Sequence, residues 1–431
     1  MNNINYPTHE KIIEVVDKLQ NEAIEKLKQL VSFDSLLGNE KDAQMYIDEV
    51  FKSLDLKVDR FEIDLEQIKN LPGFSPVNWS YEGKENVIGI HEPQPSEHAS
   101  KPKDQRKSLI FNGHIDVVPT GRDSLWSQNP FSPYVKDGRL YGRGSGDMKA
   151  GIIAFIIAYK AIRELGFAPA AKVLLQTVVE EECTGNGTLA CLARGYKADA
   201  AIIPEPFPEI ITAQVGLVWC KVNVRGRPAH VLEMTSGINA IDGAMFIVGE
   251  LRKLEEKWNQ TKHDGFSSKF PHPLNFNLGM INGGEWTSSV PCECNFDLRA
   301  GFYPGVDLKY VREQLTATIE GAAKEKGLPV TIEWNGFQAE GCLHDKEGEM
   351  MKQLGETYKS ALKRDAVYSP VLCTTDSRFF ELYYGVPATC FGPESKYIHG
   401  IDESVSLESL RDVTRVLACF ISDWCGLQPL H

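Results

Sequence analysis

Apolar positions recur along this chain with two different periods, and the switches between them mark out the elements. Over residues 9–32, Ile12, Ile13, Val16, Leu19, Ile24, Leu27, Leu30 and Val31 fall at helical spacing, and residues 40–54 repeat the pattern. "LKVDRFEI" alternates like a strand, whereas "EPQPSEHASKPKDQRK" over residues 92–107 is polar, aperiodic and interrupted by proline, as in an exposed loop. "SLIFNGHIDVVP" is then a short apolar strand running into a polar turn, "GIIAFIIAYKAIREL" a mostly apolar helix, and "AKVLLQTVV" and "DAAIIP" buried strands. Strands alternating with helices predict an α/β fold whose mainly parallel mixed sheet is covered by helices on both faces.

The pattern changes near Gly216. "LVWCKVNVRG" alternates, a helix is predicted from about Asn239 to Trp258, "LNFNLGMING" and "CECNFDLRAGF" alternate again, and a helix over 307–325 leads to "PVTIEWN". Strand, helix, strand, strand, helix, strand is the order of a ferredoxin-like α+β layer. Residues 216–336 are therefore predicted as an inserted domain within one larger, discontinuous domain of residues 1–215 and 337–431. No internal repeat or low-complexity tract is visible.

Composition narrows the partners. The chain has 431 residues and a formal net charge of -13, which disfavours nucleic acid and anionic membranes because both need a basic face. No stretch reaches the length of a membrane span, and the charged first forty residues lack the apolar core of a signal peptide. The ten cysteines sit mostly in apolar contexts such as "VLACF", as buried thiols of a cytoplasmic protein do, and the lone C-x-C at Cys292 and Cys294 lacks a second pair at zinc-site spacing.

Candidate chemistry gathers at predicted strand ends. His114 and Asp116 close "FNGHID", Asp147 opens the apolar helix in "GRGSGDMKAG", Glu181 and Glu182 follow "LLQTVV", Glu205 follows "AAIIP", and His399 lies in "CFGPESKYIHGIDE". In an open α/β sheet the carboxyl ends of the strands line the ligand crevice. Taken singly, each residue has an ordinary structural explanation: a hydrogen-bonded histidine, an Asp helix cap, a solvated acidic turn. Together, oxygen and imidazole donors at successive strand ends suit zinc, manganese or cobalt. "GRGSGD" lacks the G-x-G-x-x-G spacing of a dinucleotide loop.

These segments, in order, resemble the metal-dependent deacylases and exopeptidases that include acetylornithine deacetylase, succinyl-diaminopimelate desuccinylase, carboxypeptidase G and aminoacylase. "GHIDVVP", "YGRGSGDMKAG", "VVEEECTGNG", "PEP", "GRPAHVLEMTSGINAI", "CNFDLRAGFYPG", "CTTDSRFF" and "IHGIDE" carry the resemblance over nearly the whole chain, with the acetylornithine deacetylase and desuccinylase branch nearest by "GDMKAG" and "TTDSRFF". The resemblance implies two divalent metal ions, zinc ahead of cobalt or manganese. His114 and Glu205 would hold one, Glu182 and His399 the other, and Asp147 would bridge them. Asp116 would accept a hydrogen bond from His114, and Glu181 would act as general base. His230 would reach the site from the partner of a homodimer and stabilise the oxyanion, Arg299 would bind a substrate carboxylate, and Thr374 would stand near that carboxylate. The insert would be the dimerisation and lid domain, and the flanking domain the metal-binding catalytic one.

The activity so implied is hydrolysis of an N-acyl amide bond in a small substrate, such as an N-acyl amino acid. Alternatives are removal of a formyl or carbamoyl group from another amine, dipeptide cleavage, or, in a different class, an inactive ligand-binding relative, which the presence of Glu181 and all five ligand positions disfavours. Departures from the family pattern are Ser288 in place of Asn, Glu180 in place of Asp, the bulky "HVLEM", and "GPES" before the last histidine. Ser288 puts one substrate contact in doubt.

Overall fold

A computed structural model describes residues 4–95, 98–263 and 265–430. Its largest sheet has six strands in the order Lys57–Glu62, Glu85–His91, Val173–Val178, Leu109–His114, Ala201–Ile203 and Ala388–Cys390. The last four run parallel, whereas Glu85–His91 pairs antiparallel with both its neighbours. Every residue of Val173–Val178 and Leu109–His114 is buried, which explains their continuous rather than alternating apolar character. The helix Ala150–Glu164 is buried almost all round because it packs between the sheet and Leu407–Cys425.

The helix expected over residues 9–32 is two helices, His9–Lys18 and Gln20–Val31. They meet at Leu19, whose N–H is shared between the Val15 and Val16 carbonyls at 3.1 Å. The first packs on Leu407–Cys425, and the second meets Ser145–Lys149 and Ala150–Glu164. Nothing in the apolar spacing signals the break, because both halves keep an apolar stripe. In the expected 92–107 loop, the described residues hold one short turn of helix, Lys103–Gln105.

A second sheet takes the order Phe276–Gly283, Glu293–Phe302, Gly216–Arg225 and Val330–Glu333, with all neighbours antiparallel. Ala240–Asn259 and Leu308–Glu325 pack against one face, covering Val218, Cys220, Val222, Phe296 and Leu298. Side-chain caps set where these helices begin: Asn239 accepts from the N–H groups of Ile241 and Asp242, and Asp307 from that of Tyr310. Strand alternation sends Trp219, Asp297 and Arg299 to the other face, where Trp219 and Arg299 are cross-strand partners. That uncovered face looks toward the carboxyl ends of the large sheet.

Candidate active site

His114 is the last residue of its strand and is completely buried on its side chain. Its Nδ1–H donates to the Asp116 backbone carbonyl at 2.9 Å. A carbonyl only accepts, so Nδ1 carries a proton and Nε2 is the ring nitrogen turned toward the carboxylates. Nε2 faces the Asp147 carboxylate at 3.1 Å, Glu205 at 3.9 Å and Glu181 at 4.0 Å. The expected role of the Asp116 side chain is thereby corrected. Its carboxylate lies 3.7 Å from Nδ1 and instead accepts the backbone N–H groups of Glu181 at 3.3 Å and Glu182 at 3.1 Å. The turn after the strand brings the Asp116 carbonyl over the ring, while its side chain ties down the glutamate turn of the neighbouring strand.

Asp147 leaves a loop whose backbone is held by a residue from the far end of the chain. Glu403, fully buried, accepts the N–H groups of Gly146 at 2.9 Å and Asp147 at 3.0 Å through one oxygen, and Gly144 N–H and the Arg143 guanidinium through the other. Gly144 is required there: φ is +79°, and a Cβ would stand 2.5 Å from the Val117 side chain. So held, Asp147 directs one carboxylate oxygen to His114 and the other to His399, whose Nε2 is 3.4 Å away. Glu182 stands 3.0 Å from the same His399 nitrogen. Two donor groups result, His114 with Asp147 and Glu205, and Asp147 with Glu182 and His399, each with ligand atoms within 4.8 Å of one another.

The electrostatics of the cluster call for cations. Burial, then the neighbouring carboxylates, pushes the pKa of Glu205 well above the usual range, and burial and Glu205 do the same to Glu181. Glu182 is raised by burial and by Asp147. For His399 burial acts downward, but Glu182 and Asp147 outweigh it and raise the imidazole to about 11. Burial would likewise raise Asp147, yet the hydrogen bonds from His114 and His399 hold it low. Among the described residues no Lys or Arg pairs with Asp147, Glu181, Glu182 or Glu205; their ion-pair partners there are the imidazoles of His114 and His399. Two imidazoles, one buried at His114 and one half exposed at His399, with four carboxylates are a donor set that divalent zinc, cobalt or manganese takes.

The three consecutive glutamates separate by direction. Glu180, at φ +68°, turns away from the cluster and is completely buried. It accepts from Lys84 Nζ and Trp79 Nε1, each at 2.6 Å, and from Tyr81 Oη at 2.9 Å. Glu181 and Glu182 face the cluster.

A cavity of about 650 Å³ opens over the cluster, roofed by the uncovered face of the second sheet. Arg299 and Thr374 line it. The Arg299 guanidinium donates to the Asn275 and Leu372 carbonyls at 3.4 and 3.3 Å, and Gln214 donates to the Thr374 hydroxyl at 3.4 Å. His230 and Ser288 are exposed, do not line this cavity, and lie beside each other on the second sheet's outer rim, where Val231 N–H donates to the Ser288 carbonyl. Within one chain the fold therefore assembles His114, Asp147, Glu181, Glu182, Glu205 and His399, adds Arg299 and Thr374, and leaves His230 and Ser288 apart. Sequence reasoning passed over Glu403 and the cavity walls Trp79, Phe207, Trp219 and Phe337. Glu403 lies in the already quoted "HGIDE", but nothing there separates it from Asp402, which bonds Ser127 at the surface.

Comparison with known proteins identifies the family. The profile of peptidase family M20/M25/M40 fits residues 110–423. The N-formyl-4-amino-5-aminomethyl-2-methylpyrimidine deformylase of Bacillus subtilis is 30% identical over 82% of this chain and 86% of its own. A succinyl-diaminopimelate desuccinylase of Thioalkalivibrio sulfidiphilus is 29% identical over 72% of this chain and 81% of its own. Among solved structures, the dipeptidase Dug1p of Saccharomyces cerevisiae superposes with a TM-score of 0.79 at 12% identity, covering 97% of this chain and 98% of its own, a likeness of fold alone. The chain belongs to peptidase family M20/M25/M40, and it is a metal-dependent hydrolase of amide bonds in small substrates.

Proposed function

We propose that the chain hydrolyses N-acyl amines at a site of two divalent cations, zinc foremost, sharing Asp147. The observation that supports this most is the Asp147 carboxylate itself, with one oxygen toward His114 and the other toward His399. His114 and Glu205 would complete one cation's ligands, Glu182 and His399 the other's. When bound, such cations supply Lewis acidity to the scissile carbonyl and make water acidic enough to lose a proton near neutral pH.

Glu181 is the general base. It is buried beside both donor groups, and burial suits it to hold a proton between two transfers. It takes a proton from the attacking water, whose oxygen bonds to the acyl carbon. The C–N bond then breaks as Glu181 returns that proton to the amine nitrogen, leaving a carboxylic acid and a free amine. Arg299, at the cavity roof, orients a carbonyl or carboxylate of the substrate.

Residues 216–336 form the lid and dimerisation domain in this reading. His230 is presented with exposed Val231, Leu232 and Met234, and Leu232 is 85% exposed. A second copy would cover this apolar strip and receive His230 over its own cavity as an oxyanion donor. No helix among the described residues is long and apolar enough to cross a membrane, and the buried free thiols fit a cytoplasmic site of action.

A formyl group is a specific alternative to acetyl or succinyl, favoured by the deformylase relative at 30% identity. The Glu181→Gln variant tests the reading: it should keep its metal by elemental analysis while kcat falls about 100-fold or more. Wild-type kcat in that variant would remove Glu181 from the mechanism.

A further inference from the structure

We infer that Gln214 is a positioning residue for substrate binding: its amide sets the loop that presents Thr374 to the cavity and makes the Thr374 hydroxyl a donor toward the bound substrate. This rests on the amidohydrolase reading and deepens it. Gln214 is completely buried and ends the strand Ile210–Gln214, which pairs in parallel with Tyr368–Val371 and antiparallel with Cys342–Leu343. Two residues later, at Gly216, the chain enters the second sheet. The Gln214 side chain thus meets the loop after Val371 at the place where the two sheets join. Cys373, Thr374 and Thr375 of that loop line the cavity over the carboxylate cluster.

Every hydrogen-bonding position of the Gln214 amide goes to this one segment. Its NH₂ donates to the Thr375 carbonyl at 3.0 Å and the Thr374 hydroxyl at 3.4 Å, and its oxygen accepts the hydroxyls of Thr375 at 2.6 Å and Ser377 at 2.9 Å. A carbonyl only accepts, so the Thr375 contact fixes which end of the amide is nitrogen. The Thr375 carbonyl takes a second donor, the Arg378 guanidinium at 3.0 Å, which also donates to the Thr184 carbonyl at 2.7 Å, just beyond Glu182. On the loop's other side the Leu372 carbonyl accepts from Arg299 at 3.3 Å. Gln214 therefore sets how Thr374 stands relative to both Arg299 and the glutamate turn. Because the Thr374 oxygen accepts from Gln214, and its own O–H donates to no partner among the described residues, that hydrogen is left for a substrate oxygen in the cavity. Shape alone cannot replace this pattern. Met at this position has neither donor nor acceptor, and Glu would draw the Thr374 hydrogen toward itself.

The test uses the full chain loaded with zinc, cobalt or manganese and the best hydrolysed of a panel of N-formyl, N-acetyl and N-succinyl amino acids and alkylamines. Gln214→Met should raise KM about 10-fold while kcat stays within about 3-fold of wild type, the signature of lost substrate binding. Metal content and inhibition by acetohydroxamate, a small metal-directed probe, should not change. Thr374→Val should raise KM similarly, and the double variant should add less than about 2-fold to either single one, because both remove the same contact. Thr374→Ser, which keeps the hydroxyl, should restore the wild-type KM. Should Gln214→Met fold poorly, Thr375→Val removes one hydroxyl that the amide holds and should raise KM about 3-fold, again with acetohydroxamate inhibition unchanged. An unchanged KM in the Gln214 and Thr375 variants, or effects of Gln214→Met and Thr374→Val that simply multiply, overturns the positioning role and leaves the amidohydrolase reading standing. Loss of acetohydroxamate inhibition in step with the rise in KM also overturns it, since Gln214 would then support the cation site in general. No hydrolysis of any amide by the metal-loaded wild-type enzyme overturns the underlying reading, and this role with it.

Discussion

Glu403 holds the backbone of Asp147: its carboxylate accepts the Asp147 N–H at 3.0 Å across a sequence separation of 256 residues. The same side chain accepts from Gly144, Gly146 and Arg143, so both of its oxygens must be acceptors. In Glu403→Gln one of these positions becomes an NH₂ group that faces donors. The loop should loosen, and metal affinity should fall about 10- to 100-fold, as for other partners that orient ligands. Competition with a chromophoric chelator measures this, and unchanged affinity would show that the loop holds its shape without the clasp.

Glu180→Ala should cost about 3–5 kcal/mol of stability, because it strands the buried Lys84 ammonium without its partner. Urea unfolding reads the loss. The double variant Glu180→Ala, Lys84→Met should recover much of it, since no charge then remains buried. Equal destabilisation in single and double variants would mean that the pair is not the cause.

Gly151→Ala places a methyl group where the Pro204 carbonyl oxygen would be 2.0 Å from its Cβ. Backbone meets backbone there, so the helix Ala150–Glu164 must move off the turn that carries Glu205. A loss of about 1–3 kcal/mol is expected, with metal content per chain reduced in elemental analysis.

Burial, with the Asp116 charge second, raises the Glu40 carboxyl from its ordinary value near 4.5 to about 7. A raised folded-state pKa means that the folded chain holds this proton more tightly than the unfolded one. The group's stabilising contribution is full below pH 4.5 and is lost as pH rises through about 7. Glu40→Gln keeps an oxygen for the Gly38 N–H and removes the titration. Its stability should gain on wild type as pH rises through that window, by at most about 3 kcal/mol at pH 8. Parallel stability curves from pH 5 to 8 would contradict it.

Much of the architecture could be read from local pattern. Val173–Val178 is apolar throughout because it is buried on both faces, and Gly216–Arg225 alternates because helices cover one face only. Both features come from residues near in sequence. The break at Leu19 left no such trace, since neighbouring elements decide it. The donor residues were recognisable because each lies at, or within a few residues of, a strand end or helix start in a segment resembling known relatives.

By itself, then, the sequence determined the alternation of strands and helices, the presence of a second, antiparallel layer, and the donors at the strand ends. Those follow from side-chain periodicity and residue chemistry. Only the tertiary structure decided that Glu180 faces away from Glu181 and Glu182, and that the Asp116 carbonyl rather than its carboxylate meets His114. It alone brought Glu403 to Asp147, gathered four aromatic walls over the cluster, and left His230 and Ser288 outside it. These depend on where a turn points and on which distant segments pack together, and neither leaves a periodic mark along the chain.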